Sequence, residues 1–99
     1  MKAYPVFFDL NCRPCVVIGG GPVAERKVAG LMEAGAAVTV ISPQLTERLG
    51  QWVQDGSVRH IARPYQSGDL TGFFLAFVTA GNPAVDATVF ADGRAAGVL

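Results

Sequence analysis

The chain has 99 residues, 51% hydrophobic and 16% charged, and its eight basic side chains balance its eight acidic ones to a formal net charge of +0. A single domain of this size buries about two-thirds of its unfolded surface, and a mean hydropathy of +0.35 suits strands hidden on both faces, as in parallel α/β sheets. With no basic run there is no footprint for nucleic acid, and no apolar stretch approaches the ~20 residues of a membrane span. The start, Met1-Lys2-Ala3-Tyr4-Pro5, lacks the apolar core of a signal peptide, so the expected compartment is the cytoplasm.

Tyr4 to Leu10 alternates imperfectly and predicts a short strand, followed by a turn through Asn11 and Arg13-Pro14. Tyr4, Phe7 and Phe8 read as core or edge packing. Cys12 and Cys15 form a C-x-x-C, a spacing used by redox pairs and half-sites for metals. A redox pair opens a helix after a strand, however, whereas this one precedes a strand, and His60 is the only histidine available to complete a zinc site. Cys15 is therefore expected to pack as the first inward residue of the strand, and no metal ligands are assigned.

Cys15-Val16-Val17-Ile18 is a buried parallel strand by composition, and Gly19-Gly20-Gly21-Pro22-Val23-Ala24 follows it directly. Gly19, Gly21 and Ala24 fall on the G-x-G-x-x-G/A spacing of a dinucleotide-binding turn. Gly19 permits the sharp exit from the strand, Gly21 leaves room for a pyrophosphate against the backbone, and Ala24 lets the next helix lie close. The first-turn N–H groups of that helix would face the phosphates, with Pro22 suited to its start. A tight turn without ligand uses the same glycines, and the strand-to-helix context favours the dinucleotide.

The helix is expected over 22–34, with Val23, Val28, Leu31 and Met32 in its apolar stripe and Gly35 as its left-handed end. Glu25 and Glu33 read as solvated charges; Arg26 and Lys27 lie near any bound anion. Val38 to Ile41 is the second strand. At its end, where an NAD site typically carries an acidic residue for the ribose, stand Ser42-Pro43-Gln44. Ser42 can hydrogen-bond a ribose hydroxyl without repelling a 2′-phosphate, or it can cap the next helix with Pro43 at the first position.

A weaker helix is expected over 45–54, a short strand over 58–61 with His60 in a structural role, and a loop from Arg63 to Asp69 with a turn at 69–72. Phe73 to Val78 reads as a central buried strand. Thr79 lies at its carboxyl end, the edge where open α/β sheets bind ligands. Asn82 then caps a helix running to about Ala95, with Val85, Val89 and Phe90 inward, and Gly97-Val98-Leu99 opens another strand. The fold class is α/β: a Rossmann-like open parallel sheet with helices on both faces, forming one NAD(P)-binding domain over 1–99.

Tyr4-Pro5-Val6-Phe7, Val17 through Lys27, and Glu33-Ala34-Gly35-Ala36 with Val38-Thr39-Val40 resemble the amino-terminal domain of siroheme synthases, the precorrin-2 dehydrogenase / sirohydrochlorin ferrochelatase family. The most specific part is Gly-x-Val-Ala-x-Arg-Lys running on from the glycines, and the resemblance spans nearly the whole chain. It implies NAD as cofactor, with Pro22, Val23, Pro43 and Gln44 at the family's contact positions. It further implies precorrin-2 as the tetrapyrrole substrate, Fe²⁺ as a second substrate in many intact members, and a homodimer. Thr79-Ala80-Gly81 and Asp86 depart from the family's pattern on the substrate side. The family's catalytic Asp lies in a segment past the position of Leu99, as does its dimer-forming region. The resemblance thus implies a cofactor domain truncated before its catalytic carboxylate, with no catalytic residue among the 99. The same half-sheet also serves nucleotide-sensing regulatory domains and NADP-dependent oxidoreductases of other substrates.

Overall fold

The computed structural model describes Ala3 and residues 5–99. Four parallel strands, β1 (Pro14–Ile18), β2 (Ala37–Ile41), β3 (Arg59–Ile61) and β4 (Leu75–Val78), lie in the order β3-β2-β1-β4. Three helices connect or follow them: α1 (Pro22–Glu33), α2 (Glu47–Gln54) and α3 (Pro83–Ala96). Register is set at the centre, where Val17 of β1 pairs with Val40 on one side and Phe77 on the other.

The apolar run of β1 is uninterrupted because both faces of the strand are covered. Cys15 and Val17 point into a cluster with Val28 and Leu31 of α1 and Leu49 of α2. Val16 and Ile18 point the opposite way, to Leu70 of the β3–β4 crossover and Val89 of α3. Each of the valine and isoleucine side chains of β1 is at most 2% exposed, and burial of each contributes roughly 1.5–3 kcal/mol. β1 is the spine of both cores.

Helix ends follow the sequence signals closely. Gly35 (φ +78°) and Gly97 (φ +72°) take the left-handed conformation just past α1 and at the end of α3. The Asn82 side chain accepts from the N–H groups of Ala84 and Val85 and so caps α3 as expected. Leu99 donates its N–H to Phe74 O (3.2 Å) and accepts from Ala76 N–H (2.8 Å), the bond pattern of a parallel strand starting beside β4.

Five expectations need correction. The strand expected over 4–10 does not form over 5–10: Phe7 is fully exposed, no ladder partner is present among the described residues, Phe8 stands edge-on against Phe74 with ring centroids 5.6 Å apart, and Leu10 packs against the core. Tyr4 lies outside the described residues. β4 starts at Leu75, since the chain bends at Phe74, and it is half-buried rather than central because its outer side is covered only where Leu99 pairs with it. Phe90 faces solvent at 68% exposure with the Arg94 guanidinium over its ring, so of the three residues expected inward only Val85 and Val89 face the core. Finally α2 begins at Glu47, capped by Thr46 rather than by Ser42, and Glu25 is not a solvated charge; both corrections concern the site.

Candidate dinucleotide site

The sheet's direction of growth reverses between β1 and β4: β2 and β3 add on one side of β1 and β4 on the other. Ligands of open parallel sheets sit at that switch point, outside the carboxyl ends of the strands. Here a cleft of about 340 Å³ opens there, floored by Ile18 and Ile41 and walled by the glycine turn, Ser42-Pro43, Pro64-Tyr65 and Thr79-Ala80. A second hollow of about 330 Å³ continues from Gly20 and Gly21 along Ser42 to Thr46.

The three glycines have three different reasons to be there. Gly19 has φ +131°, and a β-carbon on it would overlap the Thr79 hydroxyl, so the turn and the end of β4 touch directly. Thr79 holds that approach, donating its hydroxyl to Ile18 O at 3.1 Å while its N–H bonds the same carbonyl at 2.8 Å. Gly20 is jammed against the other wall, where a β-carbon would overlap Gln44 O. Around the β-carbon position of Gly21, by contrast, there is nothing within 4 Å. That open side is where a ligand can come against the backbone.

Gly21 is also the cap of α1, with Pro22 as first residue and no side-chain hydrogen bond to the helix end. The N–H groups of Val23 and Ala24 are therefore left without a side-chain acceptor, next to the open space at Gly21. The Ala24 side chain is fully buried in the α1 core and Val23 is 46% exposed, so each can serve a ligand only through its backbone or its flank. An uncapped N-terminus of a twelve-residue helix beneath an open glycine fits a pyrophosphate by hydrogen bonding and by dipole.

At the tip of β2 the Ser42 hydroxyl donates to Gln44 O (2.6 Å) and accepts from Gln44 N–H (3.3 Å), closing a small turn that presents Pro43 to the cleft. Gln44 lines the second hollow rather than the main cleft. His60 Nε2 donates to Ser42 O at 2.7 Å, tying β3 to this turn, which is the structural role expected of it. Arg26 and Lys27 do not line the cleft; Lys27 lies over the Phe77 ring, 5.2 Å from its centroid.

Tyr65, in a segment that the sequence predicts only as a plain loop, forms the far wall. Its hydroxyl donates to Asp92 Oδ2 of α3 at 2.5 Å, and burial together with that bond pushes the phenol well above the usual tyrosine range. The loop carrying it is pinned by a two-pronged pair between Arg63 and Asp69 (2.7 and 2.8 Å), and the guanidinium holds the Asp69 carboxyl below its ordinary value. No carboxylate lines the cleft among the described residues. Cys15 sits in the core with its thiol pushed up by burial, and Cys12 is exposed in a turn at φ +62°; both are free thiols.

Fold and cleft together define a Rossmann-type domain built to hold a nicotinamide dinucleotide. A family model described as "Putative NAD(P)-binding" matches residues 6–99, and the chain belongs to that family. It is 41% identical, over all 99 residues, to 21% of a siroheme synthase from Photobacterium profundum, and 38% identical over 95 residues to 20% of one from Methylobacillus flagellatus. A solved structure of SirC, precorrin-2 dehydrogenase, superposes with a TM-score of 0.83 at 32% identity, covering 89% of this chain and 44% of that one. The chain thus spans about a fifth of the length of the curated relatives it matches. No helix among the described residues is long and apolar enough to cross a membrane.

Proposed function

We propose that this chain is the dinucleotide-holding part of an NAD⁺-dependent precorrin-2 dehydrogenase, which oxidises precorrin-2 to sirohydrochlorin in siroheme formation. The observation that carries the reading is the uncapped end of α1 beneath the open side of Gly21, in a chain similar to a precorrin-2 dehydrogenase and to siroheme synthases. The bound dinucleotide supplies a two-electron hydride acceptor. The chain's own share is positioning. Gly19 and Gly21 let the backbone come close, and Val23 and Ala24 offer N–H groups to the pyrophosphate. Pro22 starts the helix, Ser42, Pro43 and Gln44 frame the adenosine ribose, and Thr79 borders the nicotinamide end at the mouth of β4.

No carboxylate lines the cleft among the described residues, and the resemblance puts the proton-handling carboxylate, the tetrapyrrole cleft and the homodimer contact in the remaining part of the family's intact proteins. Fe²⁺ insertion, where an intact member carries it out, belongs to the same cytoplasmic protein. A second reading, a nucleotide-sensing domain without chemistry of its own, predicts a ribose-binding carboxylate at the end of β2, and Ser42 stands there instead.

Calorimetric titration with NAD⁺ and NADP⁺ tests the first step. Micromolar-to-millimolar NAD⁺ binding that is lost in Gly21→Val supports the site. A folded chain that binds neither nucleotide overturns it. Precorrin-2 oxidation by the protein carrying its remaining segments then separates the dehydrogenase from the sensor.

A further inference from the structure

Glu25 sits one turn into α1 and is half-buried, although nothing in its sequence context distinguishes it from a solvated charge. Its Oε1 accepts the Thr46 hydroxyl at 2.8 Å across 21 residues of sequence. Thr46 is itself the cap of α2, and its oxygen accepts from Leu49 N–H at 3.2 Å. A hydroxyl has one proton, so with that proton committed to Glu25 the lone pairs are free for the helix end. Thr46 N–H meanwhile donates to Gly20 O at 2.9 Å. One residue therefore binds the middle of the glycine turn, the first turn of α1 and the start of α2.

The hollow from Gly20 and Gly21 to Thr46 lies between these anchors. One end is the phosphate side, at Gly21. The other is the ribose side, at Ser42-Pro43-Gln44. The contact of Gly20 with Gln44 O limits how close the two sides can come, and the Glu25–Thr46 bond limits how far they can part. A charge-assisted bond in a partly buried position is stiff enough to do this.

We infer that Glu25 and Thr46 are positioning residues that hold the β2–α2 loop at a fixed distance from the phosphate turn, so that the adenosine half of the dinucleotide meets a preformed slot. This rests on the dinucleotide reading above. Neither residue need touch the ligand. Their contribution is to affinity, because a slot that is already formed leaves less ordering to be done on binding.

The test is a double-mutant cycle on the full chain, read by calorimetric titration with NAD⁺ and with ADP-ribose, which shares its adenosine half. Glu25→Ala and Thr46→Val are each expected to weaken both ligands about 5- to 10-fold, in the range of one lost positioning bond. The double variant should be no weaker than the worse single. Glu25→Gln and Thr46→Ser keep an acceptor and a hydroxyl, and should stay within about twofold of the parent, a rescue that general destabilisation would not give. Glu25→Ala leaves both helix caps in place, so it remains informative if Thr46→Val folds poorly. Single variants that bind like the parent, or losses that multiply in the double variant, overturn the proposal. A parent chain that binds neither ligand overturns the dinucleotide reading itself.

Discussion

A β-carbon on Gly20 would overlap the carbonyl oxygen of Gln44, whereas one on Gly21 would meet no atom within 4 Å. Adjacent residues in one turn thus differ in kind: the fold leaves no room for a side chain on Gly20, whereas the open side of Gly21 is the space the proposed pyrophosphate would take. Gly20→Ala must displace the β2–α2 backbone, and overpacking of that kind costs about 1–3 kcal/mol. In a domain of this size each kcal/mol lowers Tm by roughly 4–8 °C. Gly21→Ala should leave Tm within about 2–4 °C, since an unhindered surface change is usually worth under about 0.5 kcal/mol. Its NAD⁺ affinity should nevertheless fall at least tenfold by calorimetry. A Gly21→Ala chain with parental affinity would remove the pyrophosphate from that position.

The strands and helices were legible because their signals are local. An apolar run buried on both faces, a glycine at each left-handed helix end and an Asn-Pro helix start each act within a few residues. What was not legible depends on distant partners. Ser42 reads equally as a ribose ligand or as a cap, but its hydroxyl closes onto Gln44 and the cap falls to Thr46; Thr-Glu directly before an amphipathic run is the available sign. Glu25 gave no hint of Thr46, 21 residues away, and Tyr65 none of Asp92, 27 away. The expected strand over 4–10 failed for the complementary reason: alternation predicts a face, and residues 5–10 have no strand beside them to make one.

Asn82 caps α3 with bonds to Ala84 N–H (3.0 Å) and Val85 N–H (3.4 Å), and the cap is exposed. Asn82→Ala should destabilise the chain by about 1 kcal/mol in chemical denaturation, with the slope unchanged. Asn82→Asp should restore nearly all of it. Equal losses in both variants would place the effect outside the cap.

The two thiols should separate cleanly in labelling. Cys12 is exposed, while Cys15 is 0% exposed and its thiol is raised by burial, so less of it is the reactive thiolate. Maleimide at neutral pH should add one label to the folded chain and a second only in denaturant. Rapid double labelling, or a disulfide formed under mild oxidation, would show that β1 opens at its start. Cys15→Ala, which removes a core atom beside Val28 and Leu31, should cost about 1 kcal/mol or more.

The Tyr65–Asp92 bond links the wall of the cleft to α3 and gives stability an alkaline limb. In the unfolded chain the phenol titrates near pH ~10, whereas in the fold its value is raised, by burial first and then by the bond to Asp92. A raised value stabilises the fold fully below the unfolded value. That contribution is lost as pH climbs above ~10, because the unfolded chain releases its proton first. Tyr65→Phe removes the bond and the limb together. It should lower stability at neutral pH by about 1 kcal/mol, and the denaturation midpoint should fall less steeply between about pH 9.5 and 11 than the parent's, a window set by the ~10 of a free phenol. Asp92→Asn keeps an acceptor but not the charge, so its alkaline limb should lie between the two. If Tyr65→Phe retained the parent's slope, the limb would belong to another group and Tyr65 would be a passive wall.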